Sequence, residues 1–187
     1  MEQKISVYGH SLKWGLYMGI TLIAVSLIEW ILNILPTHLI IILLIIFIPL
    51  TIMFVLTYIG TKKYRDTILN GKIDFGKAFA TGFLIIIFAS ILTGLYGVVF
   101  SKSIGPQYVE KTIEATKEWM YEFMVRHQVP EAMIDNYLER FDVDTQPTGL
   151  NIFISSIIRN MIFGAVICLI IAAVVKREDR TMFTNYT

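Results

Sequence analysis

The chain has 187 residues, room for one or two domains. Hydrophobic residues make up 55% and charged residues 17%, with a mean hydropathy of +0.63. A soluble domain carries about a quarter charged residues, so lipid is the expected solvent. The net charge of +1 implies no nucleic-acid partner, and the single cysteine, Cys168, excludes an intrachain disulfide and a cysteine-based metal centre.

A transmembrane helix needs about 20 mostly apolar residues. Four stretches qualify, at about 12–35, 39–60, 76–100 and 150–175. The apolar run at 16–35 is longer than the roughly 7–15 residues of a signal-peptide core, and no Ala-x-Ala-like site follows it, so it reads as a retained first span. Pro36-Thr37-His38 leaves room only for an antiparallel hairpin into the second span. Pro49 lies inside that span and should kink it, since it removes a backbone donor and crowds the carbonyl of Ile45.

Residues 61–77 read as a polar connector holding an Asn70-Gly71 turn. After the third span, Gly105-Pro106 is a stop. An insertion at about 106–147 then differs in character. Val109, Ile113, Met120, Phe123 and Met124, with Thr116 and His127, recur at helical spacing. Pro130 opens a second helix with Met133, Ile134, Tyr137, Leu138 and Phe141 on one side. The expected fold is all-α: residues 1–187 as a single membrane domain of four transmembrane helices, with an extracytoplasmic helical hairpin between spans three and four.

Orientation follows from the basic residues of short loops. Lys4 and Lys13, then Lys62, Lys63, Arg65, Lys72 and Lys77, then Lys176, Arg177 and Arg180, place ten of them on one side. The opposite side has none in the 36–38 turn, and its long loop sets Lys102, Lys111, Lys117, Arg126 and Arg140 against nine acids. Both termini are therefore expected on the cytoplasmic side.

Glu29 and Arg159 are the formal charges well inside the expected spans. Such charges usually pair or line a path. Counted from the ends of the apolar runs, they lie roughly 9 Å and roughly 14 Å deep at about 1.5 Å per residue. Similar depths make a charge pair between spans one and four reasonable, serving either helix register or a proton relay. Ala89, Thr93 and Gly97, with Ser90, Gly94, Gly15 and Gly19, form small-residue ridges that suit packing within the bundle or a homo-oligomer interface. Glu110, Glu114, Glu118 and Glu122, then Glu131, Asp135 and Glu139, read as solvated faces. Asp142-x-Asp144-x-Gln146 fails as a calcium loop, because Pro147 stands where glycine is needed and Phe153 where glutamate is. Met120, Met124, His127 and Met133 read as packing rather than a soft-metal site. His10 and His38 are expected at the membrane boundaries.

No H-E-x-x-H, G-x-S-x-G, Walker-type loop or Rossmann fingerprint occurs. No catalytic, cofactor-binding or metal-binding residue is therefore assigned, and the chain is expected not to be an enzyme.

Three stretches together carry a resemblance. They are Tyr8-Gly9 followed by Gly15-x-x-x-Gly19, Tyr64-Arg65 followed by Gly71-Lys72-Ile73-Asp74-Phe75-Gly76-Lys77-Ala78-Phe79, and Pro106-Gln107-Tyr108-Val109-Glu110. Over about residues 8–176 the chain resembles the bacterial membrane-protein family known as domain of unknown function 4199. The resemblance implies a four-span inner-membrane protein without an assigned activity, and residues 72–79 as an amphipathic lead-in to span three. The expected role is binding, scaffolding or regulating another membrane component, with the lipid bilayer and another membrane protein or a second copy as partners. The alternative is a small oligomeric transporter or channel, lined by Glu29, Arg159, Asn160 and Ser156.

Overall fold

A computed structural model describes residues 6–144 and 148–177. Lys4 and Arg180 of the basic segments, and Gln146 and Pro147 of the loop weighed for calcium, lie outside them. Six α-helices run α1 (Val7–Ile31), α2 (Leu39–Thr67), α3 (Phe75–Val99), α4 (Pro106–Arg126), α5 (Glu131–Asp144) and α6 (Gly149–Val175). Among the described residues α1, α2, α3 and α6 are long and apolar enough to cross a membrane, and the protein is a four-span membrane protein.

The helix ends are chemically marked. The hydroxyls of Ser6 and Thr148 accept from the backbone amides of Gly9 and Asn151, and the Asp74 carboxylate from that of Lys77, each satisfying a first-turn donor that has no partner within its own helix. The Lys77 amide, then its ammonium, holds the Asp74 carboxyl below the usual carboxylate range. Pro106 starts α4, where its missing donor costs nothing. Between α3 and α4 a single π-helical turn, Phe100–Ile104, closes with the Gly105 amide donating to the Phe100 carbonyl at 2.9 Å.

The bounds of two spans differ from expectation. The first span begins earlier and ends at Ile31 rather than near residue 35, because Asn33 takes a left-handed conformation (φ 49°) that breaks the helix inside a still-apolar run. The second continues seven residues past Gly60, through Lys62, Lys63 and Arg65, before the chain turns at Asn70 and Gly71 with φ of 51° and 83°. Only the second half of the expected connector is a loop.

α3 is the central helix, packed along α1 on one side and α6 on the other. The small residues make that possible. A methyl group on Gly15 would stand 2.6 Å from Phe88 Cβ and 2.8 Å from the Ile85 carbonyl oxygen, and one on Gly164 would stand 2.7 Å from Ile86 Cγ2. Gly94 likewise faces Phe153 of α6. The small-residue ridges are thus consumed within the chain, with backbones brought close as membrane packing favours.

One end of the bundle is tightly fastened. His10 Nε2 lies 2.8 Å from the Gly60 carbonyl oxygen, and its ring packs on Tyr64. His10 is therefore a buried helix-to-helix link, not the interfacial residue expected. Arg65, 5% exposed, donates from Nε to Asp66 Oδ1 at 2.7 Å and from Nη1 to the Val175 carbonyl at 3.0 Å. Ile73 and Arg177 exchange backbone hydrogen bonds of 3.0 and 2.9 Å, tying the 68–74 loop to the end of α6. Lys13, Lys62 and Lys63 sit over the rings of Tyr17, Tyr58 and Trp14. Basic and aromatic residues so arranged mark a membrane boundary.

The other end is open. α2 is the most apolar span, with a mean hydropathy of 3.3 over its best 18 residues, yet only 6% of that window is buried. Its buried residues, Met53, Thr57, Gly60, Thr61 and Arg65, all follow Pro49. The half before Pro49 buries none and exposes Leu39, Ile40, Leu43, Leu44 and Phe47. Burial along α2 thus begins only after Pro49, the position at which a kink was expected.

Candidate functional site

Beside Pro49 a cavity of about 730 Å³ lies between α1, α2, α3 and α6. Pro49 and Met53 form its α2 wall, and Leu22, Ile23 and Val25 supply apolar surface from α1. The rest is polar. α1 contributes Ser26 and Glu29, α3 contributes Thr93 and Tyr96, and α6 contributes Asn151, Ser155, Ser156, Arg159 and Asn160. Spacing explains the α6 set: positions 151/155/159 and 156/160 recur every four residues and share a face. Asn151, Ser155 and Arg159 are exposed, so the recess opens sideways beside α6 as well as inwards.

Glu29, Arg159, Asn160 and Ser156, the four residues singled out in the sequence, all line this one recess. Glu29 and Arg159 do not pair: among the described residues no N···O approach of 4.0 Å or less joins them. The end of α1 explains this. With the helix closing at Ile31, Glu29 lies two residues from its end, whereas Arg159 lies ten residues into α6. The depth match counted from the apolar runs does not exist. Each charge therefore faces the recess with no ionic partner.

The polar residues that do pair fix the walls. Asn160 Nδ2 donates to Thr93 Oγ1 at 3.4 Å, linking α6 to α3. The Tyr96 hydroxyl donates to Ser26 Oγ at 3.5 Å, linking α3 to α1. Sequence reading missed Thr93 and Tyr96 as site residues, because they sit in the span with the strongest packing signal.

α4 begins above the mouth. Phe100, 6% exposed, is ringed by Trp30, Tyr96 and Tyr108 at centroid distances of 5.8, 5.4 and 6.3 Å. The Tyr108 hydroxyl donates to the Ile34 carbonyl at 2.7 Å, docking the first turn of α4 on the α1–α2 turn. Burial, then the Glu29 charge, raises the Tyr108 phenol above its ordinary value. The neutral phenol is thus favoured in the folded state. Its contribution is complete below the ordinary pKa of about 10 and is lost as pH rises through the higher folded value. Tyr108→Phe is expected to cost about 1 kcal/mol and to remove that high-pH loss, both read from thermal unfolding in micelles between pH 8 and 11.

Further along, α4 and α5 touch, with Ile134 buried. Glu110, Glu114, Glu118, Glu122, Glu131, Asp135 and Glu139 are all exposed. The α5 stripe is narrower than expected, since Met133 is 64% exposed. His127 packs on Phe123 with ring centroids 4.3 Å apart.

The model of the family described as protein of unknown function (DUF4199) matches residues 13–177. The chain belongs to that family. No curated protein and no solved structure matches this DUF4199 chain. The match runs from within α1 to the end of α6 and covers every residue lining the recess, so Glu29 and Arg159 lie within the family region of this DUF4199 protein.

Proposed function

We propose that the protein is a non-enzymatic binding component of a bacterial inner membrane, with both termini cytoplasmic, that receives a ligand from the outer half of the bilayer. The observation that carries this is the recess. It is polar and open to the side near the α4 end, and it stops short of the fastened end, where Met18, Thr57, Thr61 and Thr81 are fully buried between the helices. A cavity that stops short of one end of the bundle suits holding better than conducting. Its volume lies within the roughly 300–1,000 Å³ of small-ligand sites. The excess of basic residues at the fastened end supports the orientation. The α4–α5 pair then stands outside, offering an exposed acidic surface to another membrane protein or a second copy.

The rival reading, an oligomeric transporter, draws on Glu29, an unpaired carboxylate in a membrane recess. One pair of measurements separates the two. Ser155→Trp should fill the recess and abolish retention of a co-extracted small molecule without lowering the unfolding temperature. Liposomes holding the parent chain should show no ion or proton flux above protein-free liposomes. Retention untouched by Ser155→Trp would overturn the binding reading, and a flux abolished by Glu29→Gln would establish transport instead.

A further inference from the structure

We infer that the recess binds the headgroup of a zwitterionic phospholipid carrying a primary ammonium, with phosphate at Arg159 and ammonium at Glu29. This deepens the binding reading and rests on it.

Two opposite charges share one cavity, and among the described residues neither has an ionic partner. Leaving a carboxylate and a guanidinium unpaired within a bilayer is costly. A ligand carrying both complementary charges answers both at once. Arginine is suited to the phosphate, since its planar fork matches phosphate oxygens in pairs. Asn160 and Ser156 stand beside it as further hydrogen-bonding groups.

The depths set the order of the charges. The Asn160–Thr93 and Tyr96–Ser26 hydrogen bonds tie the helices level by level. Thr93 lies three residues deeper along α3 than Tyr96, and Glu29 lies three residues nearer the mouth along α1 than Ser26. Six residues at about 1.5 Å each put Glu29 roughly 9 Å above the Asn160 level. Helical side chains lean toward their own N-terminus. Glu29 on outward-running α1 therefore leans down, and Arg159 on inward-running α6 leans up, so the two charged groups converge on a gap a headgroup can bridge.

A phospholipid of the leaflet at this end presents the same order: acyl chains deepest, then phosphate, then ammonium toward water. The side opening lets it enter from the membrane, and Leu22 and Met53 line the floor where its chains would begin. The exposed aliphatic half of α2 continues that apolar path.

Native mass spectrometry of the full chain released from nanodiscs tests this. The discs contain phosphatidylethanolamine and phosphatidylglycerol in equal amounts. One phosphatidylethanolamine per chain should be retained in preference to phosphatidylglycerol. Glu29→Gln should remove the preference, while Glu29→Asp keeps it. Arg159→Gln should cut retention of both lipids about tenfold, the scale of one charge-assisted hydrogen bond. Exchanging the two charges (Glu29→Arg with Arg159→Glu) should not restore retention, because the acyl chains fix the direction of the headgroup. Unfolding temperatures matching the parent's confirm that each variant is folded.

Equal retention of the two lipids, insensitive to Glu29→Gln, would overturn the headgroup assignment and leave the binding reading standing. Recovery in the exchanged variant, with displacement by soluble phosphoethanolamine, would overturn it in favour of a free zwitterion. Retention of no lipid and no other small molecule by the parent would end both.

Discussion

Gly15→Leu is expected to cost about 3 kcal/mol or more, at or above the upper end of the overpacking range. The reason is the two nearest atoms. A Cβ at Gly15 would stand 2.8 Å from the backbone oxygen of Ile85 as well as 2.6 Å from Phe88 Cβ. Neither atom can rotate away, since a Cβ is fixed by its backbone as firmly as a helix carbonyl, so α1 must leave α3 along its length. That interface also carries Gly19, whose own Cβ would meet Leu92 at 2.8 Å. Gly97→Ala is the matched control. Its Cβ would meet Ile152 Cγ2 at 3.6 Å, an ordinary distance, and it is expected to change stability by less than about 0.5 kcal/mol. Reversible unfolding in mixed micelles reads both, and equal effects at the two glycines would refute the packing account.

The second large effect is expected at Arg65. The last carbonyls of α6 have no partner within their own helix. Arg65 reaches from α2 to supply one, its Nη1 meeting the Val175 oxygen at 3.0 Å while Nε holds Asp66 at 2.7 Å. A cation at a helix C-terminus also meets the negative end of the helix dipole. Arg65→Met keeps the aliphatic stem and deletes both hydrogen bonds, leaving a buried acceptor unpaired. The expected loss is about 2–3 kcal/mol, with Val175 the group left unsatisfied. Hydrogen exchange at the amides of Ile73 and Arg177 should quicken with it, because their paired hydrogen bonds hang from the same end of α6. Unchanged exchange there would show that the α6 end is held by packing alone.

The contrast between these residues shows what the sequence carries. The four spans were legible because bilayer thickness forces long apolar runs, and α4 was legible from its helical stripe, although Pro106 reads in the sequence only as the stop of span three. The close packing at Gly15 followed from small residues at four-residue spacing. Arg65 was not legible: beside Lys62 and Lys63 it reads as a loop cation anchoring topology, and only the continuation of α2 to Thr67 carries it under α6. His10 was read as interfacial for the same reason, since its partner is a backbone carbonyl fifty residues away.

The recess divided in the same way. Glu29 and Arg159 stood out because charge inside an apolar run is conspicuous, and Asn160 and Ser156 were named beside them. Their relation was misjudged because depth was counted along apolar letters, which continue to Leu35, while the helix itself stops at Ile31. Pro49 was singled out as a kink site, but no sequence rule says that it would line a cavity between four helices.

The recess itself is tested most directly by the reactivity of two adjacent cysteines in intact membranes. Cys168 is 1% exposed and serves as a silent background. Ser155 lines the recess, while its neighbour Ile154 is 44% exposed on the outer surface of the helix and faces lipid. A thiol reacts with a polar maleimide as its thiolate, which needs water. The account predicts that Ser155→Cys is modified by a membrane-impermeant maleimide applied from the extracytoplasmic side, while Ile154→Cys is not. Equal reaction at the two positions, or reaction at Ser155→Cys only from the cytoplasmic side, would contradict it.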